Sequence, residues 1–151
     1  MTEMQEIFAE AAGGKPYYVT DINVRWEEMD VNAHVNYAVY LDYFSEGRLE
    51  AIGHDLVSEL RRENIGPVIY KIEVEYLLEM HHPDTAHVVT WIGEVESNTR
   101  VAVRQNIYSK TSGKLVTRGT FHAIFMNTAK RKPTRIPDVI VEKFGLDQKK
   151  K

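Results

Sequence analysis

Met29-Asp30-Val31-Asn32-Ala33-His34-Val35-Asn36-Tyr37 crowds a carboxylate, carboxamides and an imidazole into one short stretch and leads directly into the apolar run 37–52. Within that run Tyr37, Tyr40, Leu41, Phe44, Gly47, Ala51 and Ile52 recur at three-and-four spacing, while Asp42, Ser45, Glu46 and Glu50 fall mostly opposite. This spacing predicts the longest helix of the chain. Asn36 suits its N-cap and Gly53 its stop. A helix N-terminus presents unpaired backbone N–H groups and about half a positive elementary charge, so it polarises a carbonyl oxygen and stabilises an oxyanion. The polar loop therefore feeds into an electrophile-activating end. Gly47 costs about 1 kcal/mol relative to Ala inside a helix, which points to the close approach of a neighbouring backbone.

Upstream of the loop the period is two. Tyr18, Thr20, Ile22, Val24 and Trp26 share one face and Asp21, Asn23 and Arg25 the other, which predicts a first strand with one buried side. Residues 1–16 read as a short amphipathic extension through Met4, Ile7, Phe8 and Ala11, closed by Gly13, Gly14 and Pro16. Downstream, Asp55 starts a short second helix that Gly66-Pro67 breaks. Four strand-like runs follow at 68–77, 86–95, 101–108 and 115–126, with Ser97-Asn98 and Ser112-Gly113 supplying hairpin turns. The order of elements is α+β, and the helix from Tyr37 is the one element long and apolar enough to cover the sheet.

Composition narrows the function. A chain of 151 residues is read as one domain, with a tail of lysines at 149–151. The absence of cysteine excludes disulfides, thiolate catalysis and cysteine-bound zinc, and a net charge of −3 gives no general attraction to nucleic acid. No apolar run approaches the ~20 residues that span a bilayer, and the acidic start lacks the form of a secretion signal. The expectation is a cytoplasmic protein without membrane or nucleic-acid partners. His81, His82 and His87 read as surface histidines and no metal site is expected, because no carboxylate cluster completes one.

The pattern Val24-Arg25-Trp26-Glu27-Glu28-Met29-Asp30, then Asn32, His34-Val35-Asn36-Tyr37 and Tyr40, resembles the signature of hotdog-fold acyl thioesterases. It is most similar to the branch of 4-hydroxybenzoyl-CoA thioesterase and small bacterial acyl-CoA thioesterases. Asp30-x-Asn32-x-His34-Val35-Asn36 also resembles plant acyl-ACP thioesterases. The resemblance covers about 17–137 and implies a five-stranded antiparallel sheet wrapped around a long central helix, with the domain at 17–140 and a tail at 141–151. It implies an acyl-CoA thioesterase that uses no cofactor, forms a homodimer or homotetramer, and builds its sites across the dimer interface. The alternatives are an acyl-ACP thioesterase, a hydratase on the same fold, and a non-catalytic acyl-CoA-binding module.

By the same resemblance Asp30 attacks the thioester carbonyl or acts as general base on water, and the Tyr37 backbone N–H polarises that carbonyl. Aspartate ahead of a helix also serves simply to hold a loop. His34 orients water or the carbonyl oxygen, or is held by the loop; Asn32 positions water and Asn36 caps the helix. Tyr40 and Phe44 are expected along the acyl group. Glu46 is the rival carboxylate, because another hotdog branch places its glutamate on this helix. Ser45 falls where relatives carry glutamate, and the downstream glutamate of the plant enzymes has no assigned position here. Ser97 and Asn98 lie in a hairpin that approaches pantetheine or nucleotide in related enzymes, while Lys130, Arg131 and Lys132 suit the phosphates of CoA.

Overall fold

Strands with period-two burial need an apolar cover, and the chain supplies one from its own middle. The computed structural model describes residues 1–147; the lysines read as a tail, 149–151, lie outside them. Strands β1 (Tyr18–Asn23), β2 (Ile65–Tyr76), β3 (Thr85–Val95), β4 (Arg100–Ser109) and β5 (Leu115–Asn127) pair antiparallel in the order β1-β3-β4-β5-β2. A short β6 (Lys132–Pro133) adds to the end of β5. The helices are α1 (Glu3–Ala11), α2 (Val39–Ile52), α3 (His54–Arg62) and α4 (Asp138–Lys143).

Val88, Ile107, Val116 and Phe121 present the inner face of β3, β4 and β5, and α2 lies against it through Tyr40, Tyr43 and Phe44. This is the expected α+β architecture, a five-stranded antiparallel sheet curled around the longest helix. Helix α2 begins at Val39, later than the expected Tyr37, and its buried face carries Tyr43, while Tyr37 and Leu41 are exposed. Tyr40, Phe44, Gly47 and Ala51 are buried as the spacing predicts, and the helix is apolar beyond that face, so spacing alone does not choose between Leu41 and Tyr43. Trp26 also departs from expectation: β1 ends at Asn23, and Trp26 lies exposed in a 3-10 turn, Trp26–Glu28.

Gly47 is needed for close approach, but of side chains and not of backbone. A Cβ there would sit 2.5 Å from Val88 Cγ1 and 3.1 Å from Gln105 Nε2. The valine is β-branched and stiff, so it yields little. Overpacking of about 1–3 kcal/mol outweighs the ~1 kcal/mol gained in helix propensity. Gly47→Ala is therefore expected to lose roughly 1 kcal/mol net in urea unfolding, and a gain in stability would contradict this packing.

Beneath Gly47, the fully buried Gln105 donates to the Phe44 carbonyl at 2.9 Å and to Thr90 Oγ1 at 2.8 Å. It ties α2 to both central strands. The extension packs on the opposite, outer face, where Phe8 meets Val89, Trp91 and Tyr108. At the other end α4 runs across residue 140, where the sequence reading closes the domain, because Ile140 and Phe144 are buried with Ala51 and Ile92.

Strand β2 starts at Ile65 and passes through Gly66-Pro67, which the sequence marks as a break. Proline is tolerated because β2 is an edge strand, where a missing N–H costs no ladder bond. A register shift between Ile69 and Lys71 reverses the alternation, and Val68, Tyr70, Ile72 and Tyr76 all remain nearly half exposed. The free edge strand thus exposes apolar side chains beside the charged Lys71, Glu73 and Glu75.

On the outer face His122 bridges two strands, with Nδ1 3.0 Å from Glu96 and Nε2 2.8 Å from Glu73. The Glu96 and Glu73 carboxylates hold its imidazolium above the usual histidine range. A raised folded-state pKa gives stability that is fully present below the unfolded value near 6.5 and is lost as pH rises through the folded value. His122→Gln should therefore lower the unfolding midpoint at pH 6, with the gap from wild type narrowing towards pH 9. A gap that does not change with pH would contradict the ion-pair assignment.

Candidate active site

The loop between the 3-10 turn and α2 is held by its own backbone and by one carboxylate oxygen. The Asp30 N–H donates to the His34 carbonyl at 2.7 Å, and Ala33, at φ +60°, donates to the Asp30 carbonyl at 3.0 Å. Asp30 Oδ1 accepts from the Asn32 N–H at 2.8 Å and from the His34 N–H at 3.3 Å. One oxygen therefore orients the carboxylate, and the other, Oδ2, accepts no hydrogen bond among the described residues.

The loop is fastened from outside. The Val35 N–H donates to the Met80 carbonyl at 2.7 Å and the Asn36 N–H to the Glu28 carbonyl at 3.0 Å. Glu28 also accepts from the Tyr43 hydroxyl at 2.7 Å, tying the 3-10 turn to α2. Asn36 Oδ1 accepts from the Ala38 N–H at 3.0 Å, so it caps the tight turn before α2 while Ala38 holds the N-cap position itself. Between them the Tyr37 N–H has no acceptor among the described residues. The carbonyl of the same peptide, that of Asn36, accepts from the Val39 N–H at 2.9 Å, and the Tyr37 carbonyl accepts from the Tyr76 hydroxyl at 2.9 Å.

Asp30, His34, Val35 and Tyr37 line one cleft of about 280 Å³ together with Tyr40, Tyr76, Leu77, Leu78 and Glu79. Burial pushes the Tyr40 hydroxyl up to about 12, with the negative charges of Glu79 and Asp30 adding to the effect and a Met80 backbone hydrogen bond opposing it. Tyr40 is thus a neutral wall of the cleft at ordinary pH. Glu79 is the acidic group that sequence reading misses. It carries no motif and reaches the cleft because the neighbouring Met80 pairs with Val35.

Asp30, His34, Tyr37 and Tyr40 are therefore brought together, with Asn32 exposed on the loop rim. Phe44 is elsewhere: it is fully buried, its ring 5.0 Å from Phe121, and it does not line the cleft. Glu46 is exposed on the solvent side of α2. Ser97 and Asn98 lie in the β3–β4 turn, where the Asn98 carbonyl accepts from the Ile136 N–H, and Lys130 and Arg131 lie exposed beyond β5 with Lys132 in β6. Those turns are at the far end of the sheet. The cleft sits beside the start of β5, where Leu77 donates to the Val116 carbonyl, and the basic turn follows its last residue, Asn127. At ~3.3 Å per residue the two groups are about 40 Å apart along the strand.

Residues 24–144 match the family model described as the thioesterase-like superfamily. Among solved structures, the chain is similar to a DHNA-CoA thioesterase from Staphylococcus aureus, at 24% identity and TM-score 0.70, covering 79% of this chain and 80% of that one. It is also similar to a hypothetical protein from Staphylococcus aureus in complex with CoA, at 18% identity and TM-score 0.77, covering 85% and 82%. A third is a 1,4-dihydroxy-2-naphthoyl-CoA thioesterase from Synechocystis, at 14% identity and TM-score 0.75, covering 85% and 95%. At these identities the structures share the fold. No curated protein matches the sequence. Among the described residues no helix is long and apolar enough to cross a membrane.

Proposed function

The chain belongs to the thioesterase-like superfamily and is a thioester hydrolase, and we propose that it hydrolyses acyl-CoA to free acid and CoA at the Asp30 loop. The observation that carries this reading is the pairing of an unbonded Asp30 Oδ2 with an acceptor-less Tyr37 N–H in one cleft. The N–H receives the thioester oxygen, and negative charge developing there in the transition state is stabilised more than the ground-state carbonyl. Oδ2 either takes the proton of an attacking water or forms the new C–O bond itself. In both routes the C–S bond breaks and the sulfur leaves as CoA thiolate, to be protonated; in the second, water then cleaves the acyl–Asp30 anhydride, releasing the free acid and restoring the carboxylate. His34 and Asn32 stand on the loop to position water, and Glu79 lies on the opposite wall. A CoA complex among the structurally similar proteins supports CoA as the carrier.

The separation of the acidic cleft from Ser97, Asn98, Lys130, Arg131 and Lys132 has a natural resolution in a homodimer. Exposed edges are usually charged or covered; β2 carries Lys71, Glu73 and Glu75, and beside them it leaves Val68, Tyr70, Ile72 and Tyr76 nearly half exposed for burial against a second copy. Antiparallel pairing of two β2 edges brings the Tyr76 end of one subunit beside the Ile65 end of the other. The basic turn of one chain then approaches the cleft of its partner and meets the CoA phosphates.

Complementation tests the reading. Mixed and reassembled Asp30→Asn and Lys130→Glu/Arg131→Glu/Lys132→Glu chains should release CoA thiol from acyl-CoA faster than either variant alone, since one site per heterodimer is intact. No gain from mixing, with heterodimers present, would overturn the shared site. Equal or faster release from the same acyl group on acyl carrier protein would move the substrate assignment from CoA to the carrier protein.

A further inference from the structure

Inside the curl of the sheet, towards the end of α2 away from the Asp30 loop, lies a second cavity of about 230 Å³. Its wall is apolar, with Ile92, Val101, Ala123 and Phe125 from the strands and Ile140 and Phe144 from the C-terminal helix region. Volume of this order is adequate for a small organic molecule, since about 150 Å³ suffices for benzene. Its partly exposed lining, Ile52 with Pro67 and Ile69, marks a mouth between α2 and β2.

One charged residue lines that space, Arg48. Its guanidinium donates through Nη1 to Gln105 Oε1 at 2.9 Å and lies over the Phe121 ring, 4.3 Å from its centroid. Among the described residues it has no carboxylate partner. Burial pulls it down to about 10, so it remains charged at neutral pH. Arg48 is partly buried, which removes part of its hydration, and one neutral amide accepts one of its five N–H donors. Gln105 is locked by Phe44 and Thr90, which orients its oxygen towards Arg48.

The geometry points to a binding site for a small apolar carboxylate, its carboxyl group on Arg48 and its hydrocarbon body in the cavity. Planar guanidinium pairs with carboxylate through two parallel hydrogen bonds, and a lone anion without an apolar body would leave the remaining wall unfilled. The carboxyl group arrives either on a free acid or at the far end of an acyl chain. The first source stands without reference to hydrolysis; the second rests on the proposed thioesterase reaction.

Hexanoate and its neutral counterpart 1-hexanol decide the site, titrated against the whole protein by NMR. Wild type should bind hexanoate at least about tenfold more tightly than hexanol, a difference of about 1.4 kcal/mol, with shifts centred on Ala51, Ala123 and Ile140. Arg48→Met should bring the two ligands level, and Arg48→Lys should keep part of the preference. Equal affinities in wild type, no saturable hexanoate binding, shifts centred on the Asp30 loop, or a preference that survives Arg48→Met would each overturn the site. If Arg48→Met does not fold, the wild-type comparison with hexanol and the lysine variant still decide. Hydrolysis of adipoyl-CoA against hexanoyl-CoA then identifies the source. A preference for adipoyl-CoA that depends on Arg48 places the carboxylate on the acyl chain, and equal rates with hexanoate binding intact place it on a free acid. Failure to hydrolyse either thioester would count against the proposed reaction and leave the hexanoate result standing.

Discussion

Asp30→Asn is expected to lower kcat for acyl-CoA by at least about a hundredfold while leaving the fold and the loop in place. Asparagine keeps an Oδ1 that accepts from the Asn32 and His34 N–H groups, so the hydrogen bonds that hold the loop survive. What is lost is the second oxygen, replaced by an amide that neither takes a proton nor attacks a carbonyl. This substitution therefore separates the two roles an aspartate ahead of a helix can have. A loop-holding residue would tolerate it with normal turnover; a reacting carboxylate would not. Asp30→Ala lacks this resolution, because it removes both the chemistry and the loop bonds. Acyl-CoA binding by Asp30→Asn, measured by calorimetry, should remain near wild type, which places the loss in the chemical step.

Phe44→Ala should cost about 3–5 kcal/mol of stability, the largest effect of any single truncation considered. The ring is fully buried and packs on Phe121 at 5.0 Å, in the cluster that joins α2 to Val88 and Ile107. Domains of this size are stable by only about 5–15 kcal/mol, so the loss is a large fraction of the whole. At roughly 2–4 °C per kcal/mol, thermal unfolding should fall by roughly 6–20 °C. A side chain lining an open acyl groove would behave differently: truncation would alter chain-length preference with little change in melting. Differential scanning calorimetry distinguishes the outcomes, and an unchanged midpoint would remove Phe44 from the core.

The Asp30 loop is legible in the sequence because its chemistry is local. Asp30, Asn32 and His34 are bound to one another by short-range hydrogen bonds that residue type and spacing anticipate. The strand runs are legible for the same reason, their period being set by the pleat. The buried face of helix α2 is legible at Tyr40, Phe44, Gly47 and Ala51 and misread at Leu41 and Tyr43, because both are apolar and only packing in the core chooses between them. Glu79 and Arg48 are not legible at all. Each acquires its surroundings from chain segments far away in sequence: Glu79 through the Met80–Val35 hydrogen bond, Arg48 through Gln105 and Phe121. The separation of Lys130, Arg131 and Lys132 from Asp30 likewise depends on how long β5 runs and which way its partners pair. Composition cannot carry that information, and the register of the sheet supplies it.

Release of CoA thiol from a panel of short, medium, long and aromatic acyl-CoAs, with wild type and Asp30→Asn run side by side, is the most direct measurement. Hydrolysis of at least one thioester by wild type, lost in the variant, is the predicted result. Normal turnover in the variant would remove Asp30 from the chemistry, and no release from any acyl-CoA by wild type would contradict the assignment of this chain as an acyl-CoA hydrolase.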